Sequence, residues 1–174
     1  MAEVFISIGS NIDPEKNIPE CIRILEKQFG QLILSPVYES EPVGFTGANF
    51  YNMVTGLNTR LTPDELVQYL RMIEDDFDRS RDTARFSSRT LDLDLLLYDD
   101  LVLNNDNVSI PREEIMKYAF VLCPLADIVG NYTHPVNGRK YCDLWCEFDK
   151  EGVNLRQVNI MGSFFSHPGT GRAE

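Results

Sequence analysis

Histidine and cysteine are scarce in this chain, with two and four copies in 174 residues. Cys21, Cys123, Cys142 and Cys146 show no C-x-x-C spacing, and His134 and His167 stand far apart. That pattern argues against zinc and for free thiols buried in a core. Cys142 and Cys146 are four apart, which on a helix is one face. No apolar run approaches the roughly 18 residues of a membrane span. The stretch MAEVFISIGSN has no basic segment ahead of its short apolar run, so a secretory signal is not expected. The default expectation is a soluble cytoplasmic protein with no membrane partner. Positive charge is also short: 16 Lys and Arg against 27 Asp and Glu leave a net charge of −11, which argues against a nucleic-acid surface. No G-x-x-x-x-G-K-[ST] occurs, so a P-loop is excluded. There is no internal repeat.

What remains is an ordinary globular composition. At 43% apolar residues the chain can bury one real core. Residues 1–161 are expected to form a single domain, and the Gly/Ser/Pro-rich stretch 162–174 a flexible tail. Residues 3–9, EVFISIG, alternate as a strand and end in the turn Gly9-Ser10-Asn11. Asp13-Pro14 reads as a helix N-cap with proline at the first helical position, followed by Ile18, Ile22, Leu25 and Phe29 at helical spacing and stopped by Gly30. A β-like segment over 31–39, a Pro/Gly-rich loop over 40–49 and a strand over 50–59 come next. Thr62-Pro63-Asp64-Glu65 is a capping box ahead of Leu66, Leu70, Ile73 and Phe77. The order β-α-β-β-α-β predicts a ferredoxin-like α/β (α+β) core, an antiparallel sheet with helices on one face, followed by C-terminal additions. Those additions include a short strand near 101–103, an apolar segment over 119–129, a turn at Asn137-Gly138 and a helix carrying Leu144, Trp145 and Phe148.

The informative stretch is RTLDLDLLLYDD, residues 89–100. On a strand, Asp92 and Asp94 share one face, about 7 Å apart, while Leu91, Leu93, Leu95 and Leu97 point the other way. At that distance and an effective dielectric near 20 the two charges repel by roughly 2 kcal/mol. Such a pair suits a hard divalent cation, above all magnesium, which takes one or two carboxylates and completes its shell with water and phosphate oxygens. A solvated strand edge explains the spacing as well. Arg79, Arg81, Arg85 and Arg89, four of the basic residues within positions 79–89, shift the balance. Guanidinium groups bind phosphate through planar paired hydrogen bonds, and phosphoryl chemistry asks the protein mainly for positioning and charge neutralisation. A flexible loop of arginines ending at a carboxylate strand favours a magnesium–nucleotide site.

FISIGSN, YESEPVGFTGANFYNMV, RTLDLDLLLYDD and IPREEIMKYAFVLCPLADI, in that order, resemble the signatures of the 6-hydroxymethyl-7,8-dihydropterin pyrophosphokinase family. The resemblance covers residues 3–149, and R-T-[LI]-D-[LI]-D is its most specific part. It implies a ferredoxin-like fold and transfer of pyrophosphate from ATP to the hydroxymethyl group of a reduced pterin, with release of AMP, in folate biosynthesis. It also implies two magnesium ions on Asp92 and Asp94, and phosphate contacts from Arg79 and Arg89. Arg81 and Arg85 match arginines of a closing loop that reach the nucleotide. Phe50 and Phe120 match the two rings that sandwich the pterin, Asn52 matches an asparagine on its edge, and Ser40 and Val43 supply main-chain contacts. Each phenylalanine, taken alone, reads as core packing; the pterin role comes from the resemblance. Arg71, Glu74, Leu95, Ser109 and Arg112 fall where the family lines its nucleotide pocket.

The match departs from the family at Arg112, where histidine is usual, and at Tyr118, where arginine is common. Asp82, Phe86 and Ser87-Ser88 also differ from the usual loop residues. These departures bear on the nucleotide pocket and loop closure and leave the aspartates untouched. They keep open a diverged enzyme for another pterin, and a non-catalytic nucleotide- or pterin-binding module. Protein partners are not legible in the sequence.

Overall fold

In the computed structural model, which describes residues 1–78 and 90–160, the alternation of the first segment becomes strand β1, Ala2–Ser10. Val4, Ile6 and Ile8 enter one core and Phe5 a second one on the opposite side of the sheet. Helix α1, Pro14–Phe29, begins with Asp13 in the left-handed region, and the Asp13 carbonyl, not its carboxylate, caps Lys16 and Asn17 N–H. The expected side-chain cap is therefore replaced by a backbone one. Gly30 ends the helix at φ 82°, a conformation open to glycine.

The β-like segment over 31–39 is two strands, β2 at Ile33–Leu34 and β3 at Val37–Ser40, because Pro36 has no N–H to continue the ladder. Strand β4, Phe50–Thr59, runs as the sequence predicts. Helix α2, Pro63–Asp78, opens with the capping box: Thr62 N–H donates to Glu65 Oε2 at 2.8 Å, and Glu65 N–H reaches back to Thr62 Oγ1 at 3.4 Å. Strand β5 is Asp92–Tyr98. The remaining elements are the hairpin β6, Leu103–Asn104, with β7, Ser109–Ile110, then helices α3, Glu114–Lys117, α4, Ala119–Val129, and α5, Tyr141–Glu147, and strand β8, Leu155–Val158.

The sheet order is β5-β1-β4-β3-β8 with β2 also on β4, and every pairing is antiparallel. Its first four elements reproduce the split βαβ arrangement. The helices, however, cover both faces. Helices α1 and α2 pack on one side through Ile18, Leu25, Leu66 and Leu70, whereas α4 and α5 cover the other through Leu122, Leu125 and Leu144. A β-bulge between Phe5 and Ile6 puts an extra residue into β5, so Leu96 and Leu97 both join the second core. Leu97 is thus not on the face of Leu91, Leu93 and Leu95. Cys21 and Cys123 are buried as expected, while Cys142 and Cys146 are exposed. Burial pushes the Cys21 thiol up to about 12, helped by the charge of Glu74. Among the described residues no helix is long and apolar enough to cross a membrane. The stretch 162–174 lies outside the described residues.

Candidate active site

Strand β5 is the edge strand beside β1, so half of its backbone groups face away from the sheet. Two neighbouring segments supply the missing partners. Leu93 N–H, between the two aspartates, donates to Glu74 Oε1 of α2 at 2.6 Å. Arg112 N–H donates to the Leu96 carbonyl at 3.0 Å. The chain reaches Arg112 through a cis peptide bond between Ile110 and Pro111. Helix α2 on one side and the β7–α3 segment on the other are thereby docked along β5, and the aspartates stand between them.

Two clefts meet at this strand. The first, of about 200 Å³, is lined by Arg71 and Glu74 of α2, Asp92, Asp94 and Leu95 of β5, and Ser109 and Arg112 beyond them. It gathers all five nucleotide-pocket residues named from the sequence outside the arginine-rich stretch. The second, of about 160 Å³, has Ser7, Asn52, Asp92 and Asp94 on its sheet side and Tyr118 and Phe120 on its helix side. Asp92, Asp94 and Arg112 line both. The register explains the sheet side: Ser7 lies opposite Asp94, and Gly9 lies between Asn52 on β4 and Asp92 on β5.

One guanidinium meets the carboxylates of the shared wall. Arg112 Nη2 lies 2.9 Å from Asp94 Oδ1, and Arg112 Nε lies 3.3 Å from Glu114 Oε2, an ion pair without the alignment of a hydrogen bond. Asn52 is buried and its Nδ2 donates to Ser40 Oγ at 2.9 Å, which fixes which way the amide points. Phe50 is two residues from Asn52 on the same face of β4 and pairs with Ser40 in register. Its ring meets Phe45 edge-on at 6.1 Å, and the Phe120 ring is stacked on Tyr118 at 5.0 Å. Val43 is 57% exposed in the loop after β3, and Val43, Ser40 and Phe50 line neither cleft. Arg79, Arg81, Arg85 and Arg89 lie outside the described residues.

Sequence reasoning passed over Ser7 and Glu114 as lining residues, and it tied Tyr118 to the nucleotide pocket, whereas Tyr118 lines the second cleft. Ser7 was legible in principle, since FISIGS sets Phe5, Ser7 and Gly9 on one face. Glu114 and Tyr118 were not, because their position depends on where α3 and α4 pack.

The sequence profile described as "7,8-dihydro-6-hydroxymethylpterin-pyrophosphokinase (HPPK)" matches residues 5–130. The chain belongs to this family. The HPPK relatives include two of similar size, each called "2-amino-4-hydroxy-6-hydroxymethyldihydropteridine pyrophosphokinase". The one from Bacillus subtilis is 31% identical over 87% of this chain and 88% of its own length. The one from Pseudomonas aeruginosa is 34% identical over 86% of this chain and 94% of its own. "Folic acid synthesis protein FOL1" of Dictyostelium discoideum is 35% identical over 76% of this chain, which spans only 20% of that protein. Among solved structures, wild-type Plasmodium falciparum HPPK-DHPS superposes with a TM-score of 0.65 at 14% identity, over 85% of this chain and 44% of that one. That likeness shows the HPPK fold in a larger protein.

Proposed function

We propose that this HPPK-family chain transfers the terminal pyrophosphoryl group of ATP to the hydroxymethyl oxygen of 6-hydroxymethyl-7,8-dihydropterin and releases AMP, a step of folate biosynthesis. The observation that carries this reading is the pair of clefts with one shared wall. A transfer between two substrates needs two recesses that open on the same charged groups, and Asp92, Asp94 and Arg112 line both. The first cleft, with Arg71 and Ser109 beside apolar Leu95, suits a nucleotide. The second, with Asn52 aimed by Ser40 and an aromatic wall, suits a flat heterocycle whose polar edge must be matched.

The hydroxyl oxygen bonds to the β-phosphorus as the bond from that phosphorus to the α,β-bridging oxygen breaks. AMP leaves with the electron pair, and the hydroxyl proton passes to solvent. The residues present fit magnesium. Among the described residues no group of three or more His, Cys, Asp and Glu forms a self-sufficient metal cage, and two part-exposed carboxylates are what magnesium takes when phosphates and water complete its shell. Asp92 and Asp94 would hold it, and two such ions would neutralise phosphate charge and orient the triphosphate. Asn52 and Phe120 would orient the pterin from the second cleft; for Phe50 and for main-chain groups of Ser40 and Val43, which line neither cleft, the support is the sequence resemblance alone. Arg71, Glu74, Leu95, Ser109 and Arg112 would hold the nucleotide. Arg79 and Arg89 would stabilise charge on the transferred group, with Arg81 and Arg85 assisting, and for these four the support is the sequence pattern alone. A cytoplasmic setting agrees with four cysteines that are all free.

The test is AMP release with ATP, magnesium and the hydroxymethyl-dihydropterin. One AMP is expected per pterin consumed, and Asp92→Asn or Asp94→Asn should lower the rate by roughly 10²–10³, the scale of losing a charge-stabilising group. No AMP release by the wild type, or variants within threefold of it, would overturn the reading.

A further inference from the structure

We propose that Arg112 is a positioning residue that exchanges partners. Without ligands its guanidinium holds Asp94; when nucleotide enters, it moves to a phosphate oxygen and yields Asp94 to the metal. The inference rests on the metal–nucleotide reading above and adds a coupling between the two ligands.

Three observations carry it. The base of the side chain is fixed, because Arg112 N–H is bonded to the Leu96 carbonyl of β5, so only the head group is left to move. The head group is paired with the carboxylate that would hold the cation, 2.9 Å from Asp94 Oδ1, and it lines both clefts. The pair is also accessible: the Arg112 side chain is 34% exposed and that of Asp94 31%, so water screens it and a stronger partner can displace it. Glu114 on α3, 3.3 Å from Nε, keeps the guanidinium at this wall once Asp94 is gone.

The physical consequence is a linkage. In the free protein Arg112 offsets the repulsion between Asp92 and Asp94, and for the same reason opposes a divalent ion that arrives alone. A polyphosphate gives the guanidinium a better-matched acceptor for its planar fork. Metal and nucleotide therefore bind more tightly together than apart, and each raises the affinity of the other by the same factor.

The experiment measures Mn²⁺ binding directly, by calorimetry or by loss of the free-ion paramagnetic signal, with and without α,β-methylene-ATP, in the wild type and in Arg112→Met. Without nucleotide the variant should bind Mn²⁺ about three- to fivefold tighter, the equivalent of a screened ion pair. With the analogue that gain should vanish or reverse, so the coupling factor falls. A mere field effect of the lost charge would persist in both conditions. Arg112→Gln, also uncharged, must give the same direction in case the Met variant folds poorly. Unchanged Mn²⁺ affinity without nucleotide, or an unchanged coupling factor, overturns the proposal and leaves the pyrophosphokinase reading standing. If wild-type protein binds Mn²⁺ no better with the analogue than without, both fall.

Discussion

Gly9 sits between Asn52 on β4 and Asp92 on β5, two residues of the second cleft, and its missing side chain leaves them room. A Cβ there would stand 3.2 Å from Asn52 Oδ1 and 3.9 Å from Asp92 Cβ. The backbone itself tolerates alanine, so Gly9→Ala should fold normally. The amide must give by a few tenths of an ångström, however, which strains its hydrogen bond to Ser40 Oγ. We expect KM for the pterin to rise about fivefold, the equivalent of one ordinary hydrogen bond, with KM for ATP nearly unchanged. Steady-state kinetics in both substrates checks this. At this scale much of the lining of the two clefts was legible in the sequence. Asp92, Asp94, Arg71, Glu74, Leu95, Ser109, Arg112, Asn52 and Phe120 all line one cleft or the other. Their residue types announce charge or stacking, and their spacing in the chain carries the family pattern. Val43 lies in a loop, as the Pro/Gly-rich stretch predicts, but that it stands outside both clefts was not legible, because a loop's course is not encoded in periodicity.

Elements show where periodicity gives out. Alternation along β5 predicts Leu97 beside Leu95, and one extra residue reverses the face of everything after it. The segment AFVLCPLADIV is apolar nearly all round, so no face could be chosen from its pattern, and helix α4 is buried accordingly between the sheet and α5. The turn that returns α4 to α5 contains His134, buried, with Nδ1 accepting from Val136 N–H at 3.2 Å and Asn137 N–H at 3.4 Å. Its own N–H and carbonyl close the turn on Arg139 and Gly138, and its ring rests against Tyr141. Protonation would set a donor against two donors. Burial holds the His134 pKa below its ordinary value. The sign follows from linkage: above about pH 6.5 neither state binds the proton and the turn is at full strength. As pH falls below that value the unfolded chain takes up a proton that the folded one refuses, so stability drops, by at most about 1.4 kcal/mol per pH unit. His134→Gln should flatten the dependence of Tm on pH between about 7 and 5, and an equal slope in both proteins would exclude His134 as the cause.

For the molecule as a whole, the last described strand closes the sheet on the side away from the aspartates. Strand β8 pairs with β3 from Val37↔Val158 to Ser40↔Leu155, and Arg156 is ion-paired and hydrogen-bonded to Glu39, which holds that carboxyl below its usual range. This strand was not legible in advance, since LRQV is too short and polar to stand out from a loop. Its effect reaches the site through β3, which carries Ser40 and so the Asn52 amide. The first cleft depends instead on α2, β5 and the β7–α3 segment. Truncation after Asp149 should therefore act unevenly. Opening the β3 edge should lower stability by on the order of 2 kcal/mol, or about 4–8 °C in Tm for a chain of this size. KM for the pterin should rise well before KM for ATP. Truncation after Met161, where we propose the folded domain ends, should change neither Tm nor either KM. If the two KM values instead rise together in the shorter protein, the clefts are not mechanically separable and the division of labour between β3 and β5 is wrong. If truncation after Met161 already lowers Tm, the domain extends past residue 161.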